Sequence, residues 1–205
     1  MRENRLCQIF ELIDQANSSD PERVNVDGEM RPAEQVYGER MSAALERFCK
    51  SPGFHLQIAA RAQHIERWIS PRKIYPAGRA GYLKWRNDLK SFHARRAGEL
   101  MREAGYEQTE IERVAMLIRK KGLKSDPEAQ ILEDVACLVF LEHYADEFIA
   151  EHNDEKVLNI LKKTIRKMSP DGVAAAKILK FGERLADLLA KSLDDVDGGG
   201  KSYTQ

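Results

Sequence analysis

The side chains best suited to chemistry in this chain are arginines, histidines and aromatic residues that lie together between residues 61 and 96. This segment contains ten basic and two acidic residues, a local balance of +8, although the whole chain has a formal net charge of zero. Arginine forks bind phosphate oxygens, and aromatic faces stack on a base or a sugar. Because like charges at this density repel one another unless a counter-charge is present, the segment predicts an anion-binding site.

The expected ligand is a phosphorylated, nucleotide-like small molecule. Nine basic or aromatic side chains of the segment are the candidate contacts. They are Arg61, His64, Arg67, Trp68, Arg72, Arg79, Tyr82, Arg86 and His93. For any single arginine, the alternative is a solvated helix face packed on an aromatic ring. For His64 and His93, the alternative is a structural histidine with satisfied hydrogen bonds.

The loop at residues 70–78 is expected to hold some of these cations in place. It joins two basic segments, and its two prolines and one glycine restrict the course of the backbone. The next helix is expected to begin near Arg79. Its first backbone N–H groups have no partner within the helix and favour an anion.

Helical periodicity and capping signals predict an all-α fold. Asp126-Pro127 and Ser169-Pro170 each place a capping side chain before a proline, which is typical of a helix start. The prediction is a multi-helix bundle of about eight helices, forming a single domain at residues 1–193 with a flexible tail at 194–205. The expected helices are at 3–16, 33–50, 53–69, 79–104, 108–121, 127–151, 154–168 and 170–193. No stretch of strict alternation predicts a strand, so residues 17–32 are expected to form a loop.

One acidic residue lies where burial is expected. The run Val135–Leu141 is apolar on nearly all sides of its helix, as in a helix at the centre of a bundle. Asp134 stands at the start of this run. A buried carboxylate needs a partner, which can be an arginine, a histidine, backbone donors or a metal.

Composition restricts the environment of the chain. Hydrophobic residues make up 42% and charged residues 32%, a globular balance. The three cysteines are widely spaced and form no CxxC pair, which favours reduced thiols. The longest apolar run has seven residues, far short of the roughly 20 needed to span a bilayer, and no apolar signal region follows the charged N-terminus. These features predict a cytoplasmic protein without a membrane partner.

Several groups of residues form a pattern that matches a known family. They are Tyr37-Gly-Glu-Arg-Met41, Gln63-His-Ile-Glu-Arg-Trp68, Pro71-Arg72, Tyr75-Pro76, Arg79, Tyr82, Trp85-Arg86, Gln130-Ile-Leu-Glu-Asp-Val-Ala-Cys-Leu138 and Lys163-Thr-Ile-Arg-Lys-Met-Ser169. In these motifs the chain resembles a bacterial and fungal family known as domain of unknown function 4202. The resemblance covers about residues 10–180. It implies no activity, because the family has none to transfer.

A more distant similarity is to the HD superfamily of metal-dependent phosphohydrolases, which are helical bundles. Those enzymes hold a divalent metal with a histidine, a His-Asp pair and a distant aspartate. The similarity implies an HD-like fold in which His64 is the histidine of the pair, Asp134 the distant aspartate and His93 a further nitrogen ligand. Ile65 occupies the place of the paired aspartate, and Tyr37 stands nearest the place of the first histidine. The implied metal site is therefore altered.

Three functions stay open at this point. The first is a domain that binds an anionic small molecule without chemistry. The second is a phosphohydrolase in which His64, His93 and Asp134, with Glu66 or Glu133, hold a divalent metal that activates water. The third is an RNA or protein interaction module, in which basic and aromatic residues contact single-stranded bases. Nucleic acid is less favoured because the net charge is zero and no RNA-binding motif is present.

Overall fold

Helices dominate the computed structural model, which describes residues 2–123 and 125–198. The α-helices are α1 (Arg2–Asn17), α2 (Ala33–Phe48), α3 (Phe54–Arg61), α4 (Gly78–Glu103), α5 (Gln108–Ile118), α6 (Pro127–His143), α7 (Ala145–Ala150), α8 (Asp154–Ile165), α9 (Pro170–Lys177) and α10 (Glu183–Gly198). Short 3-10 turns lie at Arg67–Ile69 and Arg72–Ile74. In the described residues the one sheet has two short strands, β1 (Arg23–Val26) and β2 (Glu29–Pro32). The all-α prediction is confirmed.

The chain divides into two compact units, residues 1–132 and 133–205, and α6 contains the boundary. In the first unit, α4 packs against α5 and α1, while α3 packs against α1, α2 and α5. Its fully buried core includes Ile9, Ile13, Met41, Leu45, Leu56, Ile58, Ile65, Met101, Leu117 and Ile118. The single domain expected at residues 1–193 stays a prediction.

In the second unit, α10 packs against α8 and α7. Val157, Leu161 and Ile165 are buried at one-turn intervals along α8, as expected for the inner face of an amphipathic helix. The Ser169-Pro170 start signal is confirmed, because the Ser169 side chain accepts a hydrogen bond from the backbone of Gly172 at the start of α9.

The loop expected at residues 17–32 contains the β-hairpin, so the prediction of no strand is wrong. Strands β1 and β2 pair antiparallel, with Arg23 opposite Pro32. The turn between them is Asp27-Gly28, and both residues have positive φ. An Asp-Gly pair favours the tight turn whose twist matches a hairpin. The strands have only four residues each, which is too short for a clear alternation of polar and apolar side chains.

Several helix boundaries also differ from expectation. The helix expected at 127–151 breaks at Tyr144, whose φ of −128° and ψ of −16° leave the helical region. The helix expected at 170–193 breaks between α9 and α10, a stretch that includes Gly182, a poor helix former. The tail expected at 194–205 is helical as far as Gly198, because α10 continues to that residue. Residues 199–205 lie outside the described residues.

Two further expectations concern the environment of the chain. Within the part of the chain that the structure describes, no helix is long and apolar enough to cross a membrane. All three cysteines have free thiols: Cys7 is exposed, Cys49 is half-buried and Cys137 is buried. The reduced state of these thiols stays a prediction.

Candidate functional site

His64 lies in an irregular turn after α3, so the helix expected at 53–69 is wrong beyond Arg61. Tertiary hydrogen bonds replace the helical ones here. The backbone N–H of Glu66 donates to Oδ1 of Asn17 at 2.9 Å, and Glu66 takes the left-handed conformation, with φ of +50°. The carbonyl oxygen of Ile65 bonds to the His93 ring at 2.8 Å. These contacts hold the turn that carries His64.

Glu34 is positioned by the β-hairpin and by the end of α1. The hairpin returns the chain so that the backbone N–H of Glu34, in the first turn of α2, donates to Oδ2 of Asp20 at 2.9 Å. Asp20 is almost fully buried, and it substitutes for a local helix cap. Asn17 donates to the carbonyl oxygen of Glu34 at 3.3 Å. These two hydrogen bonds fix the backbone of Glu34 and so position its side chain. Glu34 is only 8% exposed.

Glu34, His64 and His93 form a cluster that we call the histidine centre. Nδ1 of His64 lies 3.3 Å from Oε2 of Glu34, and the rings of His64 and His93 are 6.0 Å apart between centroids. Tyr37 stacks on His64, with centroids 3.9 Å apart and ring planes within 9°. The ring of His64 is thus fixed in plane by Tyr37 and in rotation by Glu34.

The protein surroundings favour the neutral forms of the two histidines and shift the pKa of the glutamate upward. Loss of solvent, together with the positive charge of Arg67, holds the pKa of His64 well below its ordinary value. Burial lowers the pKa of His93 to about 3. Burial raises the pKa of Glu34, and Arg67 opposes this effect. Perturbed pKa values that cluster in this way are typical of functional sites.

His93 carries a buried nitrogen without a hydrogen-bond partner. Its Nδ1 faces a carbonyl oxygen, which cannot donate, so Nδ1 carries the proton and Nε2 is an acceptor. Nε2 is buried and has no partner in the described residues. An unsatisfied acceptor at 3% residue exposure is costly, and it marks a polar site next to His64.

Titration of His93 predicts a pH dependence of stability. The unfolded chain binds a proton at this residue near pH 6.5, but the folded chain binds it only near pH 3. The stabilisation that neutral His93 contributes is therefore fully present above pH 6.5, and it is lost as the pH falls toward 3. We expect the contribution of His93 to the free energy of unfolding to fall by about 2 kcal/mol between pH 7.5 and pH 5. Urea denaturation at the two pH values measures this change.

The control for this prediction is His93→Asn, whose amide keeps a donor toward Ile65 but does not titrate. The variant should be less stable at pH 7.5 and should lose less stability on acidification than the original chain. The contribution of Glu34 has the opposite sign, because protonation relieves the cost of burying its carboxylate. Equal pH slopes in the two proteins would contradict a neutral, buried His93.

Half of the basic residues between 61 and 96 are neutralised by carboxylates. Arg61 and Arg96 make two-point contacts, and the Arg96 contact with Glu66 is at 2.7 and 3.2 Å. Five ion pairs in all neutralise charge in this segment, and they explain why the local charge does not disrupt the fold. They are Arg61–Asp14, Arg67–Glu34, Lys84–Asp88, Arg95–Glu99 and Arg96–Glu66.

Basic residues without a described carboxylate partner lie in the loop at residues 70–78 and in the first turns of α4. Among the residues that the structure describes, Lys73, Arg79 and Arg86 have no carboxylate partner. Arg86 lies over the ring of Tyr82 at 6.0 Å, and Arg67 lies over Trp85 at 5.4 Å. We use the term anion surface for Arg67, Arg79, Tyr82 and Arg86. Nη1 of Arg67 lies 3.4 Å from Oε1 of Glu34, and the charges of Arg67 and Arg86 act on His64, so the Arg67 end of this surface borders the histidine centre.

Arg72 fixes the loop at residues 70–78, and its contacts agree with the expectation of a restricted course. Its guanidinium donates to the carbonyl oxygens of Tyr75 at 3.0 Å and Pro76 at 2.9 Å. Nε1 of Trp85 donates to the carbonyl oxygen of Ser70 at 2.8 Å. The loop therefore lies along the first turns of α4, and Arg72 uses its donors within the loop.

The other expected site residues lie elsewhere. Arg61 bonds to Asp14 and lies over the ring of Phe10. Trp68 is half-buried in the 3-10 turn. Asp134, in the second unit, accepts hydrogen bonds from the backbone N–H of Ser169 at 2.8 Å and from its hydroxyl at 2.6 Å. The structure brings His64 and His93 together. In the described residues, however, no three His, Cys, Asp or Glu side chains are grouped so as to hold a metal ion.

A groove of about 740 Å³ lies in the second unit, apart from these residues. Its lining carries both signs of charge, including Glu151, Glu155, Lys156 and Lys163. Mixed charge provides no net attraction for either an anion or a cation. The groove therefore contributes nothing to the anion-binding hypothesis.

Sequence reasoning missed Glu34, whose place depends on the hairpin. The Asp27-Gly28 pair was the available signal, because a tight turn there returns the chain to the start of α2. With that turn, Glu34 and Tyr37 lie one helical turn apart on the same face of α2. Nothing in the local sequence marks Glu34 as the partner of His64.

Comparisons with known proteins give one match. A family model described as "Domain of unknown function (DUF4202)" matches residues 7–189. This range includes the histidine centre and the anion surface. No curated protein and no solved structure matches the chain.

Proposed function

The chain belongs to the family of domain of unknown function DUF4202, and we propose that it binds a phosphorylated, nucleotide-like small molecule on the anion surface. One observation carries this proposal. After the ion pairs of residues 61–96 are counted, Arg79 and Arg86 on one face of α4 have no carboxylate partner in the described residues, and the charge of Arg86 acts on His64. A bound phosphate would supply the counter-charge.

The arrangement on α4 suits a ligand with both a phosphate and a ring. Arg79, Tyr82 and Arg86 are spaced at i, i+3 and i+7, so they lie on one face of the helix. Tyr82 is 44% exposed, which leaves its ring available for stacking. Guanidinium groups on either side of an exposed aromatic ring fit a phosphate next to a base or sugar.

The proposal predicts a specific loss of binding in Arg86→Gln. Glutamine keeps the helix propensity but removes a charge that has no carboxylate partner in the described residues. We expect affinity for inorganic pyrophosphate, measured by isothermal titration calorimetry, to fall about tenfold, because a charge-assisted hydrogen bond is lost. The thermal midpoint without ligand should change little.

The matched control is Arg102→Gln, which makes the same change in the last turn of α4, where Arg102 is exposed. It should bind pyrophosphate as the original chain does. If both variants lose affinity equally, the attraction is general and not specific to the anion surface. If neither does, Arg86 does not contact the ligand.

A metal-dependent phosphohydrolase of altered HD type is the second candidate. The observation in its favour is that His64 and His93 lie together beside the carboxylate of Glu34. Elemental analysis of tag-free protein separates the two candidates. About one equivalent of a transition metal, lost in His64→Ala, would favour the phosphohydrolase. Pyrophosphate binding that is unaffected by EDTA would favour the anion-binding domain.

A further inference from the structure

The two imidazole nitrogens of His64 differ in their surroundings: Nδ1 contacts Glu34, and Nε2 is exposed to solvent. Nδ1 lies 3.3 Å from a carboxylate oxygen of Glu34, and this acceptor favours the tautomer with the proton on Nδ1 and the lone pair on Nε2. Nε2 has no hydrogen-bond partner among the described residues, and it is not one of the buried unsatisfied atoms. The side chain keeps 30% of its exposure. Nε2 is therefore a solvent-accessible lone pair with a fixed direction.

The surroundings of this lone pair are those of a nucleophile that attacks an anionic centre. Tyr37 stacks on the ring and limits its rotation. The positive charges of Arg67 and Arg86 act on the ring. Arg86, which has no carboxylate partner among the described residues, would also neutralise a phosphoryl group held there. The carboxylate of Glu34 lies where positive charge would develop on the ring after attack.

We propose that Nε2 of His64 accepts a phosphoryl group from a donor of the phosphoramidate class, in which phosphorus is bonded to nitrogen. This inference rests on the proposed function, because the anion surface must first hold the phosphoryl oxygens. The lone pair of Nε2 forms a bond to phosphorus while the P–N bond of the donor breaks. The donor nitrogen, already protonated, leaves with the electron pair of that bond as a neutral amine. The ring becomes a phosphorylated imidazolium, which Glu34 stabilises through the Nδ1 proton.

His93 is excluded as the acceptor by its geometry. Its Nδ1 bonds to Ile65, and its Nε2 is buried, so neither nitrogen can reach a donor in solution. His93 instead packs beside His64 as part of the site wall. The structure thus assigns the phosphoryl group to one histidine of the pair.

Potassium phosphoramidate tests the proposal on the full chain. We expect intact-mass spectrometry to show one added phosphoryl group that is stable in alkali and lost in acid, as for a phosphorus–nitrogen bond. Peptide mapping of the original chain should place it on the peptide that contains His64. His64→Asn should abolish the adduct, because asparagine keeps a donor toward Glu34 but has no Nε2 lone pair. His152→Asn, which removes a half-buried histidine of the second unit beside Phe148, should leave the adduct unchanged.

A parallel pyrophosphate titration separates the phosphoryl-acceptor role of His64 from anion binding by the anion surface. Pyrophosphate binding that depends on Arg86, together with no adduct on His64, would overturn the phosphoryl-acceptor role and leave the proposed function intact. An adduct that maps to another residue would also overturn that role. Neither binding nor adduct would overturn both proposals. Mapping in the original chain keeps the test valid even if His64→Asn does not fold.

Discussion

Asp134→Ala is expected to lower the free energy of unfolding by about 3 kcal/mol. Asp134 is 1% exposed, and its two oxygens accept the backbone N–H and the hydroxyl of Ser169. The same hydroxyl accepts the backbone N–H of Gly172, so the carboxylate orients the cap of α9. Removing it leaves the two part-buried donors of Ser169 without their partner and loosens the start of that helix. Equilibrium urea denaturation measures the loss.

A double-mutant cycle with Ser169→Ala separates the hydrogen-bonded pair from the general effect of truncation. Ser169→Ala alone should cost about 1 kcal/mol through loss of the helix cap. Because each substitution removes the same contact, the double variant should be less destabilised than the two single effects added together. Strict additivity would show that Asp134 and Ser169 are not coupled. A gain in stability in Asp134→Ala would contradict the structural role directly.

Gly81→Ala is expected to damage both the fold and the anion surface without removing any charge. A Cβ atom on Gly81 would lie 1.9 Å from the carbonyl oxygen of Pro76, which is backbone and cannot rotate away. The loop at residues 70–78 must therefore move off the first turns of α4. We expect a loss of about 3 kcal/mol in the free energy of unfolding, typical of a severely overpacked site. Pyrophosphate affinity should fall as well, because Arg79 directly follows the displaced loop.

Gly78→Ala is the comparison for this substitution. Gly78 has φ of +81°, but a Cβ there would meet nothing within 4 Å. Its cost is therefore backbone strain alone, about 1 kcal/mol. Urea denaturation of both variants should rank Gly81→Ala as clearly the more destabilised. If the two glycine substitutions are equally tolerated, the loop does not pack closely on α4.

The sequence predicted well those features that depend on local pattern. Helical periodicity identified α1, α2, α4, α5 and α8, since each buries one face at regular spacing. The Ser169-Pro170 signal identified the start of α9 because a cap and its proline act within four residues. Burial of Asp134 also followed from the apolar run after it. Its partner did not, because Ser169 is distant in the sequence.

The histidine centre could be predicted only in part. His64 and His93 are both candidate ligand contacts from the sequence, with a structural role as the alternative for each, and the structure places their rings 6.0 Å apart. Glu34 was not expected, because it reaches His64 through the hairpin and the cap by Asp20. The sequence predicts one anion-binding cluster in the basic segment, but carboxylates from within and outside the segment neutralise half of its basic residues. Pairing of this kind depends on tertiary structure, which local charge counts do not reveal.

The measurement that tests anion binding beside His64 most directly is histidine-ring NMR during a titration with inorganic phosphate. The chain has five histidines, and His64→Asn assigns the signal of interest. We expect the ring signals of His64 to shift and saturate as phosphate binds, while those of His152 in the second unit stay in place. Arg86→Gln should weaken this response, and Arg102→Gln should preserve it. A His64 signal that does not move with phosphate, or that moves no more than His152, would contradict an anion site at this position.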